Sequence, residues 1–377
     1  MKDSYIRKLI LSPCGTSLFI NNTEKKVREL ILKYANFLDI PETEEKEILR
    51  KHVKNRKELF LKLSPTEAAK YSAEVNGLYH IYKKFGGFLN NKKDEHILLA
   101  TDTWLGKESA NIIREWLENQ GFNNVYLWND IGGLRTDSLE NFHCAISELI
   151  KRLHEVLPGY KEKKFYILFN LTGGFKSIQG ILQTLAQFYA DEAVYVFETS
   201  KELLRIPRIP VILDLIGEVK KHLKVWRRLS LGLSVSPQDV KGIKDVFLLK
   251  IGSEITLSPW GELVWQQVKR EIYEKCFWSP PSEKIFWNKN FEKEVNKLPK
   301  DRIYEINKRM DELALHLEKE NHPNPNSLNC HQLEGERVKN ATHQINAWSD
   351  KAADRIFGIC RNHEYFEIIC LGKHLKS

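Results

Sequence analysis

The chain has 377 residues, of which 42% are hydrophobic and 29% are charged, and its formal net charge is +8. This length and composition predict two or three folded domains and exclude a largely disordered chain. The start Met1–Ile10 does not resemble a secretory leader, the six cysteines show no paired spacing, and no apolar run reaches 18 residues. We therefore expect a cytoplasmic protein that does not enter a membrane.

The first 205 residues alternate short apolar runs with segments of helical periodicity. This alternation predicts βαβ units and a parallel sheet. Repeated prolines in Arg205–Pro210 suit an edge or exit of that sheet. The predicted strands are Tyr5–Leu11, His96–Ala100, Val125–Trp128, Phe165–Phe169 and Ala193–Phe197. The predicted helices are Glu24–Leu38, Pro41–Lys57, Thr66–Phe85, Trp104–Gln120, Leu139–Val156 (ended by Pro158-Gly159) and a segment after Ser177.

The most informative stretch is the turn Asn170–Ser177, which joins a predicted strand to a predicted helix. Adjacent glycines let backbone N–H groups approach a ligand, and the helix directs its positive dipole end at the turn. A second polar loop, Ser12–Ser17, also follows a strand. In parallel sheets, ligands bind beyond the carboxyl ends of the strands. The two loops therefore predict a site for an anionic or nucleotide ligand, although a turn that merely requires glycine is the alternative.

The motifs SPCGTS at Ser12–Ser17 and NLTGGFKS at Asn170–Ser177 resemble those of the CARF domain, the CRISPR-associated Rossmann-like sensor. The resemblance covers residues 1–205. It implies a homodimer that binds a cyclic oligoadenylate, with cyclic tetra-adenylate as the expected activator, across its two-fold axis. The ligand contacts that it implies are Ser12, Gly15, Thr16, Ser17, Asn170, Thr172, Gly173, Gly174, Phe175 and Lys176. Thr101, Asp102 and Arg135 are further candidates because they follow predicted strands.

Residues 206–280 differ in composition, since residues 201–280 hold 14 Lys and Arg against 9 Asp and Glu. The sequence predicts a basic helix at Leu213–Leu229, another at Val240–Ile251, a wing near Ile255–Ser258 and a helix at Leu263–Tyr273. This order resembles a winged helix, which implies either a connector that transmits the sensor's motion or a DNA-binding module. Ser279–Ser282 is predicted to be a linker.

Residues 281–377 predict an α+β domain. A short strand at Ile285–Trp287 precedes helices at Phe291–Leu298 and Arg302–Leu317. An antiparallel meander is then predicted from strands at Thr342–Trp348, Asp354–Arg361 and Tyr365–Leu371, with a hairpin turn at Asn362-His363.

This last region resembles the RelE mRNA interferases, toxins that cut mRNA in the ribosomal A site. The matching motifs lie at Phe291–Pro299, His331–Gly335, Ala353–Phe357 and Leu371–His374. The whole chain thus resembles a multidomain fusion of a Rossmann-like CARF sensor, a winged-helix connector and a RelE-like domain with two helices and an antiparallel sheet. The fusion implies a cyclic-oligoadenylate-activated endoribonuclease of type III CRISPR defence, with the ribosome and mRNA as partners.

RNA cleavage by its own 2′-hydroxyl needs a proton acceptor, cations for the phosphorane charge and an acid for the leaving oxygen. The candidates are Arg355 and Lys351 on phosphate, Lys373 on phosphate or as proton acceptor, and His374 as general acid or base. No metal or other cofactor is expected in this chemistry.

Two alternatives remain open at this point. Arg309 and His316 have the spacing of a HEPN-type ribonuclease, but HEPN domains are all-helical. The second alternative is a transcription regulator, in which the winged helix binds DNA under control of the ligand domain.

Overall fold

The computed structural model describes residues 7–40, 42–197, 202–210, 214–333, 338–348, 354–362 and 364–373. The chain divides into two compact units, Met1–Ile212 and Leu213–Ser377. The predicted boundary near residue 205 lies close to this division, while the predicted boundary near residue 280 lies inside the second unit.

The first unit is a parallel sheet surrounded by helices, which confirms the predicted α/β architecture. Its strands are β1 (Lys8–Cys14), β2 (Glu95–Ala100), β3 (Val125–Trp128), β4 (Tyr166–Asn170), β5 (Glu192–Val196) and β6 (Leu203–Pro207). Its helices are α1 (Ser17–Ile20), α2 (Lys25–Lys33), α3 (Glu44–Phe60), α4 (Pro65–Ala68), α5 (Ala73–Lys84), α6 (Trp104–Asn119), α7 (Leu139–Glu162) and α8 (Lys176–Tyr189).

The strand order of this sheet is β3-β2-β1-β4-β5-β6. Strands β1 to β5 pair in parallel, whereas β6 pairs antiparallel with β5 at the edge. The edge position accommodates Pro207, which has no N–H to donate, as the sequence predicts. Every residue of β1 is buried, as expected for a central strand covered by helices on both faces.

Two predicted helices of this unit differ from the structure. The segment Thr66–Phe85 is broken, because Ser72 is extended and its side chain caps α5 by accepting from Val75 N. Helix α7 does not end before Pro158 but runs through it to Glu162. Pro158 removes one helical N–H, but Tyr160 in the next turn is held by its hydroxyl, which donates to Glu95 Oε2 at 2.8 Å, and by its ring, which packs against Phe165. These tertiary contacts offset the lost hydrogen bond.

The second unit begins with a helical and hairpin segment and continues into a helix-covered sheet. The helices are α9 (Ile216–Lys221), α10 (Leu223–Ser230), α11 (Pro259–Tyr273), α12 (Lys289–Val295) and α13 (Lys300–Glu318). The strands are β7 (Leu248–Ile251), β8 (Glu254–Leu257), β9 (Ile285–Phe286), β10 (His331–Gln332), β11 (His343–Asn346), β12 (Asp354–Arg361) and β13 (Tyr365–Lys373).

Strands β7 and β8 form a hairpin, and the other strands form a sheet in the order β10-β11-β12-β13-β9. The meander β11-β12-β13 is antiparallel, as predicted. Its inner face shares one hydrophobic core with α12 and α13, which includes Phe291, Ile306, Met310, Ile345 and Ile356. His363 of the predicted turn lies outside the described residues.

Three predictions for the second unit need correction. Val240–Ile251 is not a helix, because Asp245–Phe247 forms a 3₁₀ turn and Leu248–Ile251 is a strand. The predicted basic helix is interrupted at His222, which separates α9 from α10. Ser279–Ser282 is not an open linker: Pro280, Pro281 and Ser282 are buried, and the backbone carbonyls of Ser279 and Pro281 accept from Arg227 and Arg228.

Candidate functional site

The two polar loops of the first unit meet at one edge of its sheet. Strands β1 and β4 are neighbours in parallel register, with Leu11 opposite Phe169. Their loops therefore begin side by side, and a Cβ added to Gly15 would lie 3.3 Å from the Gly174 backbone. The sheet topology thus brings together Ser12 and Asn170, which are 158 residues apart in the sequence.

Ser12 and Asn170 lie in the strands that lead into these loops. Strand β1 runs to Cys14, so only Gly15–Ser17 of the predicted loop Ser12–Ser17 lies beyond the strand, and Asn170 is the last residue of β4. Both are fully buried, and Asn170 Nδ2 donates to Ser12 Oγ at 3.1 Å and to the Glu74 carbonyl at 2.9 Å. These contacts hold the ends of the two strands against helix α5. Both predicted ligand residues therefore serve the internal structure of the site.

Glu74, in the first turn of α5, joins the two loops through its side chain. Its Oε1 accepts from Gly15 N at 2.9 Å and from Gly174 N at 3.2 Å. Its Oε2 accepts from Ser17 Oγ at 2.9 Å and from Ser72 Oγ at 2.7 Å. The side chain is completely buried, so four donors surround a carboxylate that water does not reach.

Close packing at two glycines fixes this arrangement. A Cβ on Gly173 would lie 2.4 Å from Glu74 Oε1, and a Cβ on Gly77 would lie 1.9 Å from Asn170 Oδ1. Gly174 has a φ of +89°, a conformation that residues with a Cβ rarely adopt. The glycines are thus required for the approach of α5 to the loops as well as for the turn itself.

Beside the loops lies a cavity of about 90 Å³. Its walls combine hydroxyls, one amide, one guanidinium and the Phe175 ring. The lining residues are Gly15, Thr16, Ala35, Asn36, Thr101, Thr103, Arg135, Thr136 and Phe175. Five predicted ligand residues, namely Gly15, Thr16, Thr101, Arg135 and Phe175, are among them. Asn36 and Thr136, which bond each other at 3.0 Å, were not predicted from the sequence.

Asp102 organises the cations next to the cavity. It accepts from Lys107 Nζ at 2.8 Å, Gly133 N at 2.9 Å and Arg135 Nη1 at 3.1 Å. Partial burial alone would raise the pKa of Asp102, but these donors outweigh it and lower the pKa below its usual value. Arg135 also bonds Asp137, so two carboxylates already offset its charge.

Thr172 and Lys176 are the predicted ligand residues of the second loop that do not line the cavity or contact Glu74. Thr172 Oγ1 accepts from Val196 N at 3.2 Å. Lys176 is exposed at the first position of α8 and forms no ion pair with another described residue. Its ammonium and the unpaired N–H groups of the helix start make this the most accessible positive region of the predicted site.

In the second unit, two of the predicted catalytic residues, Arg355 and Lys373, lie at one end of strands β12 and β13. Arg355 is opposite Gly372, and Asp354 is opposite Lys373, so Arg355 and Lys373 are diagonal neighbours. Lys373 is exposed and Arg355 is half-buried. Burial lowers the pKa of the Arg355 guanidinium from its ordinary value. Its Nε is buried without a partner among the described residues, and its Nη1 donates to the Asp354 carbonyl at 3.2 Å. Lys351 and His374 lie outside the described residues.

The alternative pair Arg309 and His316 is placed differently. Both are buried on α13, where Arg309 pairs with Glu305 and Glu312 and His316 Nδ1 lies 3.2 Å from the His322 and Pro323 carbonyls. The strands β9 to β13 in the same part of the chain also do not fit an all-helical HEPN domain.

No group of three or more His, Cys, Asp or Glu side chains is arranged to hold a metal ion within the part of the chain that the structure describes. In the same part of the chain, no helix is long and apolar enough to cross a membrane.

Comparison with known proteins relates part of the chain to a described family. Residues 69–209 match the family model described as CRISPR-associated protein (Cas_APE2256). This range includes Glu74, Asp102, Arg135 and the loop Asn170–Ser177, and it begins after the first loop. The match supports a CRISPR-associated protein. A search of curated proteins finds no match for the chain.

Proposed function

We propose that this protein is a ligand-gated endoribonuclease of CRISPR antiviral defence. Cyclic oligoadenylate binds to a homodimer of the first unit, and the second unit then cleaves mRNA, with the translating ribosome as the site of cleavage. The proposal rests on the match to a CRISPR-associated family and on two candidate sites, one in each compact unit.

One observation chiefly supports ligand binding by the first unit: Ser12–Ser17 and Asn170–Ser177 meet at the carboxyl ends of adjacent parallel strands. Such a position is where parallel α/β sheets bind nucleotides. Hydroxyls from Thr16, Thr101 and Thr136 suit ribose and phosphate oxygens, and the accessible Lys176 suits a polyanion. A two-fold dimer would present two copies of this edge to a ring of four or six nucleotides.

The nuclease half is supported by the register of β12 and β13. In the proposed step, the RNA 2′-oxygen attacks the adjacent phosphorus while its proton passes to an acceptor. The bond from phosphorus to the 5′-oxygen breaks, and an acid protonates that oxygen. Arg355 and Lys373 would stabilise the additional negative charge on the phosphorane, and His374 would exchange the protons. The products are a 2′,3′-cyclic phosphate and a 5′-hydroxyl, without a co-reactant.

Gating requires that the ligand bind the active arrangement of the dimer more tightly than the inactive one. We test the proposal by thermal denaturation of the full chain with cyclic tetra-adenylate, cyclic hexa-adenylate and AMP as a control. Stabilisation by a cyclic ligand, together with 2′,3′-cyclic phosphate ends on mRNA cleaved in translation extracts, would support it. No stabilisation by either ring would exclude the sensor function.

A second candidate is a ligand-controlled transcription regulator. The β7-β8 hairpin that follows α9 and α10 favours it as a candidate wing, and the surrounding residues carry the excess of positive charge. Tight, sequence-selective DNA binding without ligand-stimulated RNA cleavage would favour this candidate.

A further inference from the structure

The amide groups of the two loops that would ordinarily hold a phosphate are already used inside the protein. Backbone N–H groups in glycine-rich turns form concave sites for anions. Here Gly15 N and Gly174 N converge on Glu74 Oε1, at 2.9 and 3.2 Å. Backbone N–H groups can only donate, so this oxygen is the acceptor for both loops at once.

The second oxygen of Glu74 extends the same connection to helix α5. Oε2 accepts from Ser17 Oγ, and Ser17 Oγ in turn accepts from Ala73 N at 3.0 Å. Ser72 Oγ also donates to Oε2 and caps the helix by accepting from Val75 N. The carboxylate lies at the start of α5, where the helix dipole favours a negative group.

We propose that Glu74 is the positioning residue of the ligand site: its carboxylate fills the amide cradle and holds both loops in the geometry that binds the ligand. The inference rests on the proposed ligand-binding function and adds a residue from a third segment to it. It follows that the loops contact the ligand through side chains such as Thr16 and Lys176, and that no ligand phosphate lies against Gly15 N and Gly174 N.

Two substitutions of Glu74 distinguish the ability of the side chain to accept hydrogen bonds from its volume. In Glu74→Gln the amide oxygen can still accept from both glycine N–H groups, while the NH₂ group donates to the two serine hydroxyls, which can rotate to accept. Glu74→Met has a similar volume but leaves the four donors without an acceptor. Glu192→Gln is a matched control, because Glu192 is a buried carboxylate of the same unit whose partner, Arg205, lies at the sheet edge.

The first readout is ligand-stimulated cleavage by the full-length dimer with cyclic tetra-adenylate. We expect Glu74→Met to raise the ligand concentration for half-maximal activation at least about tenfold, with the maximal rate unchanged at saturation. Glu74→Gln and Glu192→Gln should stay within about threefold of the wild type. A general loss of folded protein would lower the maximal rate instead.

The second readout is hydrogen–deuterium exchange of peptides that contain Gly15 and Gly174, measured without ligand. We expect slow exchange in the wild type and Glu74→Gln, and exchange at least about tenfold faster in Glu74→Met. The inference would be overturned if Glu74→Met showed the same exchange rates and the same ligand activation as the wild type. It would also be overturned if Glu74→Gln were impaired as much as Glu74→Met. If the wild type does not respond to cyclic tetra-adenylate, the proposed function fails, while the exchange rates still decide whether Glu74 holds the loops.

Discussion

Arg227 and Asp311 form a fully buried ion pair that joins α10 to α13. Arg227 Nε donates to Asp311 Oδ1 at 2.8 Å, and neither side chain is more than 3% exposed. Tyr273 donates to the other carboxylate oxygen at 2.5 Å, and Asn307 Nδ2 donates to the Tyr273 and Cys276 carbonyls. Helices α10 and α11 are therefore packed against α13 of the helix-covered sheet through buried polar contacts.

Removal of one partner of this pair should destabilise the second unit strongly. In Arg227→Met the Asp311 carboxylate stays buried but loses its main cationic partner. Such a change lowers the free energy of unfolding by about 3–5 kcal/mol. The double variant Arg227→Met with Asp311→Leu should recover most of that stability. Urea unfolding of the full chain measures both.

The exposed pair Arg270–Glu274 is the control for this experiment, since water already solvates Arg270, whose side chain is 74% exposed. Arg270→Met should change the unfolding midpoint much less than Arg227→Met. Equal effects of the two substitutions would show that the buried network does not hold the unit together.

Two glycine substitutions test the close packing at the ligand loops. Gly77→Ala places a Cβ 1.9 Å from Asn170 Oδ1, so it should shift α5 away from the loops and cost about 1–3 kcal/mol. Gly180→Ala, on α8, meets no atom within 4 Å and should stabilise the helix by up to about 1 kcal/mol. Thermal unfolding measures the stability, and titration with cyclic tetra-adenylate should show weaker binding only for Gly77→Ala. A neutral Gly77→Ala would contradict the described packing.

The sequence predicted the sheet and the two loops because their signals are local. Strand-length apolar runs end in small polar residues at Ser12 and Asn170, and parallel topology then places the two ends together. Glu74 could not be found in this way, because its partners Gly15 and Gly174 are 59 and 100 residues away. In the sequence it looks like any acidic residue inside the predicted helix Thr66–Phe85.

The wrong predictions have a related cause. A proline signals a helix end, but α7 continues through Pro158 because tertiary packing decides the outcome. Val240–Ile251 is apolar enough for a helix, and only the pairing of Leu248–Ile251 with β8 makes its end a strand. The proline pair at Pro280-Pro281 suggested a linker, but the partners of the neighbouring carbonyls, Arg227 and Arg228, lie more than 50 residues earlier.

Arg355 should contribute to cleavage through its guanidinium and not through the fold of its strand. Loss of one group that stabilises transition-state charge typically reduces the rate about 10²–10³-fold, so Arg355→Ala should do the same at saturating ligand. Arg361, exposed at the opposite end of β12, is the matched control, and Arg361→Ala should cleave like the wild type. The measurement is the single-turnover rate of mRNA cleavage. Unimpaired cleavage by Arg355→Ala would contradict the proposed site.

His96 should make the first unit sensitive to acid. Complete burial lowers the pKa of His96 from 6.5 to about 3, so the folded chain keeps it neutral where the unfolded chain protonates it. The unfolded state then binds the extra proton, and stability falls by about 1.4 kcal/mol per pH unit as pH decreases from 6.5 towards 3. Above pH 6.5 this contribution is fully present.

His96→Gln removes this titration while an amide remains to bond Tyr82, whose hydroxyl lies 3.0 Å from His96 Nε2. Melting temperatures between pH 7.5 and 4.5 should therefore fall less steeply for the variant than for the wild type. Parallel curves would mean that His96 does not titrate on unfolding.

The most direct test of the whole account is the rate at which the full-length protein cleaves mRNA on translating ribosomes, with and without cyclic tetra-adenylate. We predict that cleavage requires the ligand, with at least about a hundredfold difference between the two rates. Lys176→Ala should shift the ligand dependence to higher concentration, and Arg355→Ala should reduce the stimulated rate about 10²–10³-fold. Equal cleavage with and without the ligand would contradict the claim that the first unit controls the second.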